Sequence, residues 1–226
     1  MPSAEQDGAS PRQGRSSMKK KGPSKDETAL LPAFPALTLA QIIVPATPEA
    51  FAAATAEILA AGAAGFDTES RPTFRVGDVS DGPHVLQFAL TDKAFIFQTL
   101  HEASRACLLT LLESPTLLKA GFGLKSDSSQ IRAKLGARLA GVLDLDSLFR
   151  KEGYSGDMGV RAAVGLVLGQ RFHKSKKITT SNWALRELSP QQLLYAANDA
   201  YAAFRVLEAL RQTHPDLHTH TAPHEK

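Results

Sequence analysis

Cysteine is almost missing from this chain of 226 residues. Cys107 is the only one, which excludes an intramolecular disulfide and suits a reducing compartment. Within its apolar run Cys107 reads as a small buried hydrophobe rather than a reactive thiol. Long hydrophobic runs are missing too. No stretch of about 18 apolar residues occurs, so neither a membrane span nor a membrane partner is expected. The N-terminus lacks the apolar segment and small-residue cleavage pattern of a secretory signal, and a cytoplasmic location is the expectation. Neither sign of charge dominates, with 26 Lys and Arg against 23 Asp and Glu and a formal net charge of +3. That balance permits a polyanionic partner without demanding one. There is no internal repeat.

What is present suffices for one sizeable domain, with hydrophobic residues at 43% of the chain. Residues 1–37 are expected to form a disordered basic tail. Stretches such as "PRQGRSSMKKKGPSKDE" are rich in Ser, Gly, Pro and charge and show no apolar periodicity to offset the entropy of ordering. Lys19, Lys20 and Lys21 read there as solvated, with phosphate contact the other reading. Residues 214–226 carry four of the seven histidines and read as a flexible tail, since nothing around them would fix a metal geometry. The folded domain is expected over residues 38–213.

Within it, helix and strand signals alternate. "TPEAFAAATAEILAAG" predicts a helix capped by Thr47, opened by Pro48 and closed by Gly62, with Phe51, Thr55, Ile58 and Leu59 inward. "AAGFDTE" predicts a strand. "HVLQFAL" and "AFIFQTL" predict a hairpin across Thr91–Asp92–Lys93. Further along come a helix at 102–114, a buried strand at 116–122, a helix at 124–136, a short strand at 141–148 and a helix at 158–169. A long helix runs from Ser189 to about His214. A meander followed by alternating strands and helices indicates a single α/β domain with a mixed β-sheet flanked by α-helices.

The chemistry concentrates where the "AAGFDTE" strand ends. Side chains alternate across a strand, so Asp67 and Glu69 share one face while Phe66 and Thr68 take the other, Phe66 entering the core. Two adjacent carboxylates repel unless a cation lies between them, and an all-oxygen donor set suits magnesium or manganese. A solvated strand end would also carry such a pair. The long helix adds Tyr195 and Asp199, four residues apart on one stripe beside its core face of Leu193, Ala197, Ala200, Phe204 and Leu207. An Asp amid alanines is a poor helix and core residue, unless a neighbour such as Tyr201 merely hydrogen-bonds it. A third element, "GFGLKSD", places Asp127 at the opening of a helix, where an acid also simply suits the first turn.

Together "GFDTE", "GFGLKSD" and "YAANDAY", with the lead-in "SNWALRELS", resemble the three motifs of the ribonuclease H-like 3′-5′ exonucleases that use four acids and a tyrosine. The Werner-type exonuclease domain is the nearer likeness and ribonuclease D the next; the resemblance covers about residues 38–212. Ser70 stands where relatives often carry Trp, which bears on how a terminal nucleotide packs. The resemblance implies a ribonuclease H-like fold and the catalytic set Asp67, Glu69, Asp127, Tyr195 and Asp199. It implies two Mg²⁺ or Mn²⁺ ions: Asp67, Glu69 and Asp199 on one, with Asp67 and, partly through water, Asp127 on the second. Two such ions about 3.5–4 Å apart can activate water and neutralise a leaving 3′ oxygen. Tyr195, with an ordinary pKa of about 10, would then orient the water. The implied activity is metal-dependent release of nucleoside monophosphates from the 3′ end of nucleic acid. DNA is the first expectation, RNA or short oligonucleotides the alternative, and an inactive nucleic-acid-binding domain the rival of another class. Lys125, Arg171, Lys174, Lys176 and Lys177 are candidate phosphate contacts, the last four on a polar loop that can equally be solvated. Trp183 reads as that loop's core anchor, with base stacking the other reading.

Overall fold

The computed structural model describes residues 19–73, 77 and 79–214. In chain order the elements are helix α1 (Lys25–Ala29), strand β1 (Ile42–Ile43), helix α2 (Pro48–Ala61), strands β2 (Ala63–Glu69), β3 (Val85–Ala89) and β4 (Ala94–Gln98), helix α3 (Ser104–Glu113), strand β5 (Leu118–Gly121), helix α4 (Leu124–Leu135), strand β6 (Val142–Asp144), and helices α5 (Leu145–Lys151), α6 (Val160–Ala163), α7 (Lys176–Thr179) and α8 (Pro190–Thr213). A π-helical turn at Val164–Leu168 continues α6 to Gly169.

The six strands form one sheet in the order β1-β4-β3-β2-β5-β6. The β2–β3–β4 meander is antiparallel, whereas β5 joins β2, β6 joins β5 and β1 joins β4 in parallel. The mixed sheet anticipated from sequence is therefore what forms. Every residue of β3 and β4 is buried, because helices cover both faces. On one face Phe66, Phe88 and Phe97 pack with Phe51 and Ile58 of α2, Leu108 and Leu111 of α3, and Ile131 of α4. On the other, Ala63, Val85, Ala89 and Ile96 meet Ala196, Ala200, Phe204 and Leu207 of α8. No helix among the described residues is long and apolar enough to cross a membrane.

Local signals set the helix ends. Thr47 accepts from Ala50 N at the start of α2, and Gly62 ends it at φ 69°. Ser189 and Gln192 close a capping box at α8, with Pro190 in its first turn. On α2 the buried face is Phe51, Ala54, Thr55 and Ile58; Leu59 is only partly covered. The strand expected at 141–148 is shorter, because Asp144 accepts from Asp146 N and caps α5 there.

The largest departure is the N-terminal segment. Residues 1–18 and 215–226 lie outside the described residues, but 19–37 are not a free tail. Ser24 and Glu27 form a capping box on α1. Phe34 packs its ring 5.5 Å from Phe172 and 5.7 Å from Tyr201. Leu37 N donates to Asn198 Oδ1 at 2.7 Å, and Asn198 Nδ2 returns a bond to Leu37 O. Lys20 bonds through its backbone to Gly153 and Ser155. Phe34 and Leu37 have no helical or strand periodicity; their burial is decided by α8, about 160 residues away in sequence.

Candidate active site

The site lies where β2 runs under α8. Gly65 makes the close approach possible, since a Cβ there would collide with the backbone carbonyl of Ala200 and reach Phe204 N at 2.8 Å. With the helix that near, Asp67 and Glu69 on β2 and Asp199 on α8 each place a carboxylate oxygen within 4.8 Å of the others. Glu69 is 8% exposed and Asp199 3%. The face assignment made from strand alternation thus holds, with Phe66 wholly buried on the opposite side.

Crowding of like charges in a buried place has the expected electrostatic result. Burial, then the charges of Asp199 and Asp127, push Asp67 up to about 8. Burial, then Asp67 and Asp199, push Glu69 up to about 9. Burial also raises Asp199, against the lowering influence of Lys174. Such a cluster retains protons or takes up a cation, and its donors are all oxygen, which fits magnesium or manganese. Asp199 Oδ2, apart from its ion pair with Lys174, has no hydrogen-bond partner among the described residues.

Asp127, in the first turn of α4, stands beside this triad rather than within it. Its Oδ1 accepts a short hydrogen bond from the Thr68 hydroxyl, and burial raises its pKa. Tyr195 sits one turn before Asp199 with its hydroxyl 2.7 Å from Thr179 Oγ1. Burial, then the Asp199 charge, raise the phenol above its ordinary value, so it holds its proton. Trp183 is wholly buried, packs its ring 5.9 Å from Tyr195 and donates from Nε1 to Thr179 O at 3.3 Å. It anchors the loop, as the first of its two readings held.

The basic candidates separate. Lys125, Lys176 and Lys177 are exposed, the last two on α7, whose Thr179 touches Tyr195. Arg171 Nη1 donates to Ala29 O at 2.9 Å, and its backbone bonds Pro32 and Phe34, so it pins the N-terminal segment. Lys174 lies at the triad, its Nζ 2.6 Å from Asp199 Oδ2 and 5.3 Å from the Tyr195 ring centre. A lysine in a polar loop carries no local sign of such a partner. Three other residues escaped the sequence reading: Thr68 on Asp127, Thr179 on Tyr195, and Gln87. The last stands opposite Asp67 in the β2–β3 register, fully buried, with no partner for its side-chain amide among the described residues.

The profile of the family described as 3′-5′ exonuclease matches residues 42–214. A 3′-5′ exonuclease of Arabidopsis thaliana is 30% identical over 149 residues, covering 65% of this chain and 52% of that protein. The bifunctional 3′-5′ exonuclease/ATP-dependent helicase WRN of Mus musculus is 31% identical over 152 residues, covering 65% of this chain and 11% of that protein. The chain therefore corresponds to about half of the first relative and a small part of the second. Among solved structures, the Trypanosoma brucei RNase D complex with RNA U12 has the same fold, with a TM-score of 0.66 at 21% identity over 75% of this chain and 62% of that one.

Proposed function

The chain belongs to the 3′-5′ exonuclease family, and from that premise we propose that it hydrolyses the terminal phosphodiester at the 3′ end of nucleic acid, with DNA as the preferred polymer. The observation that carries the reading is the meeting of Asp67, Glu69 and Asp199 within 4.8 Å, with Tyr195 one helical turn before Asp199. The choice of DNA rests on the likeness to the Werner-type relative. RNA is the second reading, favoured by the shared fold of an RNase D that carries RNA. The single cysteine suits a reducing compartment, which we take to be the cytoplasm.

In the reaction a water oxygen attacks the terminal phosphorus, the bond to the preceding 3′ oxygen breaks, and that oxygen takes up a proton. The products are a nucleoside 5′-monophosphate and a chain one unit shorter. Asp67, Glu69 and Asp199 would hold one Mg²⁺ or Mn²⁺, and Asp67 with Asp127 a second. When bound, such ions lower the pKa of the water and neutralise charge developing on the leaving oxygen. Tyr195, its proton firmly held, orients the attacking water through its hydroxyl, and Thr179 fixes that hydroxyl. Thr68 holds the Asp127 carboxylate in place. Lys125, Lys176 and Lys177 offer exposed charge to the backbone of the incoming strand.

Incubation of matched 5′-labelled DNA and RNA strands with magnesium tests this directly. A ladder shortening from the 3′ end, faster on DNA and abolished by excess chelator, is the expected result. Faster RNA cleavage would reverse the polymer assignment. Substrate that stays intact but shifts in a gel would instead identify a binding domain without catalysis, and full cleavage after exhaustive chelation would refute the metal-dependent chemistry.

A further inference from the structure

Lys174 is the one basic side chain seated directly on the acid triad among the described residues. Its ammonium lies 2.6 Å from Asp199 Oδ2, which is closer than an ordinary amine-to-carboxylate hydrogen bond, and Asp199 is otherwise sealed from solvent. The ring of Tyr195 lies beneath the ammonium at 5.3 Å. Residues on both sides of Lys174 are tied down: Phe172 is buried against Phe34, and Ser175 precedes α7, whose Thr179 holds the Tyr195 hydroxyl. The lysine is thus delivered to the triad by packed structure on either flank, while its own side chain is 35% exposed to solvent.

We propose that Lys174 is a built-in counter-cation of the acid site, and that a divalent ion binds there by exchange with it at Asp199. The inference rests on the metal-site reading of the triad and adds a residue that sets its affinity. A divalent ion held by Asp67, Glu69 and Asp199 needs the Asp199 carboxylate, and at that range an ammonium and a divalent cation repel strongly. Binding therefore requires Lys174 to release Asp199. The ion pair meanwhile stabilises an otherwise acidic, buried cluster whenever metal is scarce, at the expense of metal affinity. Once displaced, the ammonium remains tethered at the rim beside Tyr195, where an anionic substrate enters.

The test is isothermal titration of Mn²⁺ into the chelator-treated full chain, comparing wild type, Lys174→Met and Lys174→Arg, with thermal unfolding of each measured in chelator and in saturating Mn²⁺. Met keeps an unbranched apolar stem, one heavy atom shorter, and removes the charge. Exchange predicts that Lys174→Met binds Mn²⁺ at least about tenfold more tightly than wild type, equivalent to ~1.4 kcal/mol. Lys174→Arg, which keeps the charge, should bind no more tightly than wild type. The gain in Tm on adding Mn²⁺ should be larger for Lys174→Met, because its chelated form has lost the counter-cation. Equal or weaker binding by a cooperatively folded Lys174→Met protein would overturn the proposal, since Lys174 would then support the site rather than compete for it. If Lys174→Met folds only when Mn²⁺ is supplied, exchange is supported; if it fails to fold even then, exchange is refuted. A wild type that takes up no Mn²⁺ would remove the metal-site reading itself, an outcome distinct from a Lys174 variant with unchanged affinity.

Discussion

Gly65→Ala should damage both the fold and the metal site through one added methyl group. Gly65 pairs with Ala89 on one side and Ala120 on the other, so it cannot move sideways without breaking two ladders. A Cβ on it would run into Ala200 O, with Phe204 N at 2.8 Å and Ala200 C at 2.9 Å. All three atoms are backbone of α8, so no side chain can rotate away. The helix must instead lift from the strand by something on the order of 1 Å. Overpacking of a well-filled core typically costs about 1–3 kcal/mol, and with only backbone to yield we expect about 3 kcal/mol. For a domain of this size that corresponds to a fall in Tm of roughly 6–12 °C. The lift also separates Asp199 and Tyr195, which ride on α8, from Asp67 and Glu69, which ride on β2. Mn²⁺ affinity measured by calorimetry at a temperature where the variant is fully folded should therefore fall about tenfold or more. A Gly65→Ala protein with wild-type Tm would show that α8 does not press on β2 as described. A lowered Tm with unchanged Mn²⁺ affinity would show that the approach of helix to strand does not set the geometry of the triad.

Asp67→Asn removes a charge from the centre of the triad and should abolish turnover and weaken metal binding. Tyr195→Phe removes only a hydroxyl and should slow single-turnover cleavage by about 10²–10⁴-fold with metal affinity unchanged; equal losses of metal binding in the two would refute the orienting role of Tyr195. In chelator, stability should fall as pH rises, because Asp67 at about 8 and Glu69 at about 9 keep protons in the folded chain that the unfolded chain gives up above about pH 4. Their contribution is complete below the unfolded values and lost as pH climbs through 8 and 9, with a slope of up to about 1.4 kcal/mol per pH unit for each proton. Thermal scans from pH 6 to 9 should show Tm falling in chelator and flattening in saturating Mn²⁺; a Tm that rises with pH in chelator contradicts the sign. Lys119, wholly buried, donates from Nζ to Leu111 O, Ser114 O and Leu117 O at 2.8–3.0 Å, closing the end of α3. Lys119→Met strands those carbonyls and should cost on the order of 3 kcal/mol in urea unfolding; a cost below about 1 kcal/mol would mean the carbonyls find other partners.

Features governed by near neighbours in the chain were legible before any coordinates. The alternation of a strand put Asp67 and Glu69 on one face and Phe66 in the core. Thr47 and Pro48 marked the start of α2 and Gly62 its end, because caps and left-handed turns are chosen within four residues. The order of the three acidic motifs pointed to the family, and the meander followed by alternating strands and helices to a mixed sheet. Other features depended on which distant surface each side chain meets. Phe34 and Leu37 lack periodicity and looked like tail until α8 supplied the wall they pack against. Arg171 and Lys174 sit in one polar loop and are chemically alike in sequence; folding gave one to a backbone carbonyl of α1 and the other to Asp199. Thr68 and Asp127, 59 residues apart, met only through the packing of α4 on β2. Even the glycine of "GFDTE" revealed its reason only when α8 crossed it. Local chain stereochemistry fixes where a side chain points, whereas its partner is selected by the long-range burial of whole helices and strands, which no short window of sequence contains.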